Sequence, residues 1–353
     1  MSLECSQGMK VMGVGVDASD DPWTLQLKLA ALNAQEKGLE SLHVDPYDMI
    51  VPELLRLCDG VEPVGKLPVP SWLSPRPKVS DAHLISKDHM GLFVSKGGML
   101  KLANKVKRFT QEKVAPGYPI MLGVDHSATG GVISALSEAL GPKNLAVLVL
   151  DQHFDGLPLS LRLDSAFQRH SSGAPFLHDT AYDNTYCCGN FWKHLIENRI
   201  VLPQNLFFIG VADYPDEKTP PQWRRFRESY LEFEAQGCHF FPLKAFEGAY
   251  IDDLKEFIEK KIRAPQLYVS LDLDVGAYRC VHAARYMDRV GINREALMNV
   301  ARITARNCRS GRFQLVGMDV MEFNIHFLRL ETKDGMKDET VSIALDFIKE
   351  LIG

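Results

Sequence analysis

The chain has 353 residues, 46% apolar and 24% charged, with a formal net charge of -5 and a pI near 6.1. That is the make-up of a folded globular protein. The slightly acidic balance excludes a general nucleic-acid binder, which carries a basic excess. No window approaches the ~18 uninterrupted apolar residues of a membrane span. The opening MSLECSQGMKVMGVGVDASDD lacks a positive segment followed by an apolar stretch, so no signal peptide is expected. Cys5, Cys58, Cys187, Cys188, Cys238, Cys280 and Cys308 are scattered and odd in number, without a C-x-x-C pair. They suit the cytoplasm better than a disulfide framework. The adjacent Cys187-Cys188 pair could be redox-active or metal-binding, although two thiols in a loop or core is the simpler reading.

In chain order, short apolar runs occur at 11-16, 118-124, 144-150, 205-211, 267-271 and 313-320. They are continuous rather than alternating, as strands covered on both faces of a parallel sheet should be. Helical patterns stand between them at 98-114, 127-140 (closed by Gly141), 251-263, 293-306 and 339-352. The stretch 61-81 carries five prolines, which disfavour a helix and a central strand alike. It is expected to wrap the surface or shape a pocket rim. No internal repeat appears. Alternating strand and helix predicts one doubly wound α/β domain over 1-353.

Four of the strands end in polar residues: Asp125-His126-Ser127, Asp151-Gln152-His153-Phe154-Asp155, Asp272-Leu273-Asp274, and Asp319 with Glu322. Ligands of open α/β sheets bind at the carboxyl ends of the strands, so these clusters are expected to meet. Residues two apart in extended chain point the same way, which would project Asp151, His153 and Asp155 together, and likewise Asp272 with Asp274. Like charges at contact distance cannot all stay ionised unaided, and divalent cations resolve the conflict. Mixed carboxylate and imidazole donors suit Mn²⁺, Fe²⁺, Co²⁺, Ni²⁺ or Zn²⁺ rather than Mg²⁺ or Ca²⁺. Two imidazoles and four carboxylates exceed one ion's needs and suggest a pair, roughly 3.5–4 Å apart.

GVDHSATGG (123-131), LDQHFDG (150-156) and SLDLDVG (270-276) resemble the metal motifs of the ureohydrolase superfamily of arginase, agmatinase and formimidoylglutamase. GMDVMEFN (317-324), GINREAL (291-297) and NLFFIGVADY (205-214) extend the likeness. The resemblance implies a three-layer α/β/α fold, arginase-like, with a mostly parallel eight-stranded sheet, in a homotrimer or homohexamer. It implies one metal on His126, Asp151, Asp155 and Asp272, and a second on His153, Asp151, Asp272 and Asp274. The ions, most simply Mn²⁺ with Ni²⁺ or Zn²⁺ as alternatives, would acidify a shared water. That water would attack a guanidinium or amidine carbon, with Asp155 passing a proton to the leaving amine and Glu322 facing the cationic substrate.

The chain departs from the family pattern in several places. Val124 stands where a glycine is usual. Gly156-Leu157 replaces the Ile-Asn pair that holds an amino-acid head group, so arginine is not the expected substrate. Ser172 occupies the position of the family's proton-transferring histidine, on the substrate side, with His170 and His178 nearby. The loop after Asp274 is altered and carries Arg279 and Arg285, which could meet an acidic substrate group. The expected activity is C–N hydrolysis of a guanidino compound with release of urea, agmatinase-like. The alternatives are a formimidoylglutamase-like release of formamide, a deacetylase-like zinc amidohydrolase, and a non-catalytic metal-binding relative. No nucleic-acid or membrane partner is expected.

Overall fold

The computed structural model describes residues 8–37, 45–158, 161, 183–215, 224–287, 289–331, 335 and 337–353. Among these, eight strands form one sheet: β1 (Met9–Val14), β2 (Val61–Lys66), β3 (Tyr118–Gly123), β4 (Leu145–Leu150), β5 (Leu206–Ile209), β6 (His239–Phe241), β7 (Gln266–Asp272) and β8 (Gln314–Met321). Their order is β2-β1-β3-β8-β7-β4-β5-β6, and every pairing is parallel. The two strands nearest the C-terminus therefore fill the gap between β3 and β4, which the chain left open when it reversed its winding. As a result β3, β8, β7 and β4, whose ends carry the polar clusters, are consecutive neighbours.

Alternation along the strands supplies both cores. Ala146, Leu148 and Leu150 of β4 enter one apolar cluster, while Leu145, Val147 and Val149 enter the other. The first face is covered by α2 (Pro46–Leu57), α8 (Ile251–Glu256), α9 (Arg294–Arg309) and α10 (Thr340–Ile352). The second is covered by α1 (Pro22–Glu36), α3 (Lys87–Ser95), α4 (Gly98–Phe109), α5 (Thr129–Leu140), α6 (Phe191–Glu197) and α7 (Arg224–Gln236). This is the doubly wound α/β/α arrangement. None of the described helices is long and apolar enough to cross a membrane.

Two strands were not legible as apolar runs. Val61–Lys66 lies inside the proline-rich stretch expected to wrap the surface, and it forms the outermost strand β2. Pro63 is tolerated there because an edge strand need not donate on its outer side; the register shifts beside it, between Val11 and Met12. At the other edge, β6 is three residues long and only Phe241 of it is fully buried. Gly130 and Gly131, at the start of α5, serve close packing. A Cβ would fall 2.1 Å from Tyr186 Oη at the first and 2.3 Å from Ala103 O of α4 at the second.

Candidate metal centre

Each functional side chain is placed by the end of a central strand. After β3, the Asp125 carboxylate accepts hydrogen bonds from Ser127 N at 3.1 Å and Ser127 Oγ at 2.6 Å. This closes a 3₁₀ turn over His126–Ala128 and turns the His126 ring into the sheet edge. After β4, Asp151 Oδ1 accepts from His153 N at 2.6 Å. The intervening Phe154 packs its ring edge-on against Phe208 and Phe233 at centroid separations of 4.9 and 4.7 Å. Phe154 thereby anchors the loop that carries His153 and Asp155. After β7, Asp272 Oδ1 accepts from Asp274 N at 2.9 Å. Asp155 and Glu322 have φ of 51° and 64°, a left-handed conformation costing non-glycine residues about 1–3 kcal/mol. The fold holds these two acids against that cost.

The result is a buried cluster. His126 Nδ1 lies 3.1 Å from Asp155 Oδ2, 3.1 Å from Asp272 Oδ2 and 3.3 Å from Asp151 Oδ2. His153 Nδ1 lies 2.7 Å from Asp274 Oδ2, whose other oxygen accepts from Gln152 N at 3.0 Å. Two groups have donor atoms all within 4.8 Å of one another: His126, Asp151, Asp155 and Asp272, then Asp151, His153 and Asp274. Asp151 belongs to both; Asp272 is a member of the first. All are buried except the half-buried His153.

The partners of His126 test whether these residues suit metal ions. Ser270 Oγ donates to Asp319 Oδ1 at 2.7 Å, which uses its only proton. At its 3.0 Å contact with His126 Nε2 the hydroxyl must therefore accept, so Nε2 carries a proton. In the neutral ring Nδ1 then offers a lone pair toward three carboxylates, an arrangement a cation satisfies and a lone proton does not. Asp151 Oδ2, close as it is to the ring, is buried without a hydrogen bond. Orphaned acceptors of this kind are costly unless charge meets them. The donor set fits two divalent ions.

Burial raises the Asp151 and Asp272 carboxyls above the ordinary range, and the neighbouring acids add to the effect. At His126 burial works against the charged form, but the Asp151, Asp155 and Asp272 carboxylates outweigh it and hold the imidazole pKa well above its usual value. Behind the ring, Asp319 also accepts from Tyr268 Oη at 2.8 Å and Thr129 Oγ1 at 2.7 Å. Burial raises its pKa while His126 and the three hydroxyl donors oppose the rise. Phe191 packs on the His126 ring at 5.0 Å between centroids and Trp192 at 6.1 Å.

Glu322 lies against the same turn, its Oε1 accepting from His126 N at 2.9 Å. Its Oε2 is buried without a hydrogen bond and lies 3.6 Å from Arg285 Nη1. Burial raises the Glu322 pKa, and Arg285 offsets part of the rise. Arg285, expected to be available to an acidic substrate, is instead 5% exposed and pairs with Asp17 at 3.0 Å. Arg279 is exposed. Leu157 is fully buried in the core. Ser172, His170 and His178 lie outside the described residues. Cys187 is buried and Cys188 half-buried. Sequence reasoning singled out Asp319 as a polar residue closing an apolar strand but gave it no partner. The signal for Ser270 was the same: a hydroxyl within the run LYVSL.

A parallel α/β/α sheet with two linked groups of acid and imidazole donors at its carboxyl edge defines a candidate metallohydrolase. The chain belongs to the arginase family, whose sequence model matches residues 69–353 and whose members hydrolyse C–N bonds of amidines and guanidines. Among solved structures, arginase from Bacillus caldovelox is similar at TM-score 0.60 and 15% identity, over 98% of each chain. Proclavaminate amidino hydrolase from Streptomyces clavuligerus is similar at TM-score 0.56 and 17% identity, over 98% of this chain and 90% of that one. Formimidoylglutamase from Bacillus subtilis gives 0.57 and 13%, over 99% and 91%. At such identities the likeness speaks for the fold alone. No curated protein matches the chain.

Two outcomes are expected. Asp319→Asn removes the charge that polarises Ser270 and His126, so metal affinity measured by calorimetry should fall roughly 10–100-fold; unchanged affinity would detach Asp319 from the centre. The second concerns pH. Asp151 and Asp272 hold protons more tightly folded than unfolded, so the folded state binds more protons above the ordinary carboxylate range. The stability of metal-free protein should therefore fall as pH rises from that range toward the raised values. His126, also raised, contributes with the same sign. Melting curves at several pH values, with and without Mn²⁺, should show a decline that excess metal suppresses; a metal-free stability that rises with pH would contradict this.

Proposed function

We propose that this protein is a dinuclear metal-dependent hydrolase that cleaves a C–N bond of a guanidino compound and releases urea, agmatinase-like in not being an arginase. The observation that carries the reading is the pair of donor groups sharing Asp151, with Glu322 beside them. We assign His126, Asp151, Asp155 and Asp272 to one ion and His153, Asp151, Asp272 and Asp274 to the other, most simply Mn²⁺, with Ni²⁺ or Zn²⁺ compatible with the same donors. Divalent ions held there supply Lewis acidity and an acidified water.

The chain's own residues do the rest. Asp151 and Asp272 hold the two halves of the cluster together. Asp155, at the outer end of its loop and 5% exposed, orients the nucleophile and hands a proton to the departing nitrogen. Glu322 Oε2, buried and lacking a donor, accepts an N–H of the substrate and fixes the planar carbon. Phe191 and Trp192 shield His126 from solvent, which strengthens these interactions by keeping the local dielectric low.

A mononuclear deacetylase-like site would leave one of the two donor groups without a use. The inward commitment of Arg285 removes one of the two arginines that would have favoured a formimino acid, leaving Arg279 on the surface. We also propose a single domain over 1–353 from the alternation of strands and helices, a cytoplasmic location from the scattered cysteines, and a homotrimer or homohexamer on family grounds. The test is urea release from a panel of guanidino compounds by the metal-loaded protein, with Glu322→Gln alongside. The variant should keep its full metal content and lose about tenfold or more in kcat/KM. Loss of metal in step with activity would make Glu322 structural, and formamide release would select the formimino alternative.

A further inference from the structure

Gln152 stands in the chain between Asp151 and His153, and its side chain reaches the loop that follows the β7 acid pair. Gln152 Nε2 donates to Arg289 O at 2.8 Å, and Gln152 Oε1 accepts from Arg289 N at 3.1 Å. A side-chain amide presents a donor and an acceptor side by side, which matches the N–H and C=O of one residue. Gln152 is fully buried, so this pair of bonds is sealed from water. Arg289 is held a second time, its Nη1 donating to Ala212 O, while Ala212 N donates to Gln152 O at 2.8 Å. Gln152, Arg289 and Ala212 thus close a ring of hydrogen bonds beyond β4 and β5.

The earlier part of the same loop is tied to the end of β8. Arg285 N donates to Glu322 O, and Asn324 N to Ala283 O, both at 2.9 Å. Because β8, β7, β4 and β5 are consecutive, the loop crosses the carboxyl edge of the sheet from beside Glu322 to beside Gln152. Its return toward α9 is held separately, by Gly291 N on Ala277 O and Ile292 N on Val275 O at 2.8 Å. The peptide that carries the Gln152 clamp is itself fixed by the acid cluster. Gln152 N donates to Asp274 Oδ1 at 3.0 Å, His153 N donates to Asp151 Oδ1 at 2.6 Å, and His153 Nδ1 lies 2.7 Å from Asp274 Oδ2. Carboxylates gathered this closely repel one another unless a cation joins them. A metal that steadies Asp151, His153 and Asp274 therefore also keeps Gln152 in register with Arg289.

We propose that Gln152 is a positioning residue that couples the loop across the carboxyl edge to metal occupancy. Loading of the Asp151, His153 and Asp274 group locks the loop, and the locked loop in return tightens metal binding to that group. Such reciprocity is a thermodynamic requirement whenever two states of a loop differ in metal affinity. The loop also carries Arg285, whose Nη1 lies 3.6 Å from Glu322 Oε2, so the surroundings of that acid are completed only once metal is in place. This rests on the reading above that the cluster holds divalent ions.

Hydrogen exchange at the Arg289 amide, compared between metal-stripped and Mn²⁺-loaded protein, tests the coupling. In the wild type Mn²⁺ should slow that exchange about fivefold or more, the ordinary range of coupling between sites, and by a larger factor than it slows the amides of α10. Gln152→Met fills the same space without the hydrogen bonds. It should lose the extra slowing at Arg289 yet still bind two ions at saturation, one of them about fivefold or more weaker by calorimetry. The wild-type comparison stands even where the variant fails to fold. Wild type that binds Mn²⁺ with no slowing at Arg289, or with the same slowing in α10, would overturn the proposal and leave the metal reading intact. So would a Gln152→Met protein that keeps the slowing, keeps both affinities, or loses an ion outright. Wild type that binds no ion would overturn the metal reading and this inference with it.

Discussion

Four carboxylates and two imidazoles occupy one end of the sheet, and all but His153 are buried. Without counter-ions that is an electrostatic conflict, because burial and mutual repulsion both disfavour ionised acids. Much of the surrounding structure is arranged to hold the conflict in place. Four consecutive strands deliver the side chains, Phe154 pins the loop between two of them, and left-handed residues at 155 and 322 aim two acids inward. Strain of this kind at an acid cluster has its compensation in what the cluster binds.

Around this centre lies a second ring of charges with a different purpose. Asp319, fed by Ser270, Thr129 and Tyr268, fixes the ring of His126 so that Nδ1 points at the acids. On the side of Glu322, Arg285 and Lys28 lie among the Asp17, Asp125 and Glu322 carboxylates. The first arrangement tunes a candidate ligand to metal, as hydrogen-bond partners behind metal ligands commonly do. The second sets the electrostatic surroundings of Glu322. Both gather around the strand ends with help from the flanking helices, Thr129 from α5 and Lys28 from α1, so the sheet that makes the core also sets the electrostatics of the site.

Much of this was legible from the chain alone, for identifiable reasons. Strands buried on both faces read as unbroken apolar runs, so β3, β4, β5, β7 and β8 could be placed within a few residues, and β1 two residues late. Edge strands lack that signature: β2 carries Pro63 and exposed residues, and β6 is too short to register. The acid and imidazole motifs were visible because polar residues ending apolar runs are conspicuous. Their convergence required the strand order, which no local pattern encodes, since β7 and β8 insert between β3 and β4. Arg285 misled for a related reason. Its sequence neighbourhood reads as a surface loop, and only the return of that loop onto β8, with Ala284 bridging Phe323, buries the side chain among Asp17 and Glu322.

The proposed two-ion site is unified by Asp151, the residue shared by both donor groups. Titration of Mn²⁺ into metal-stripped protein, followed by calorimetry and elemental analysis, tests it most directly when wild type and Asp151→Ala are compared. Two ions per chain are expected in the wild type, with loss of both sites in the variant. A single ion per chain, or a variant that retains two, would contradict it.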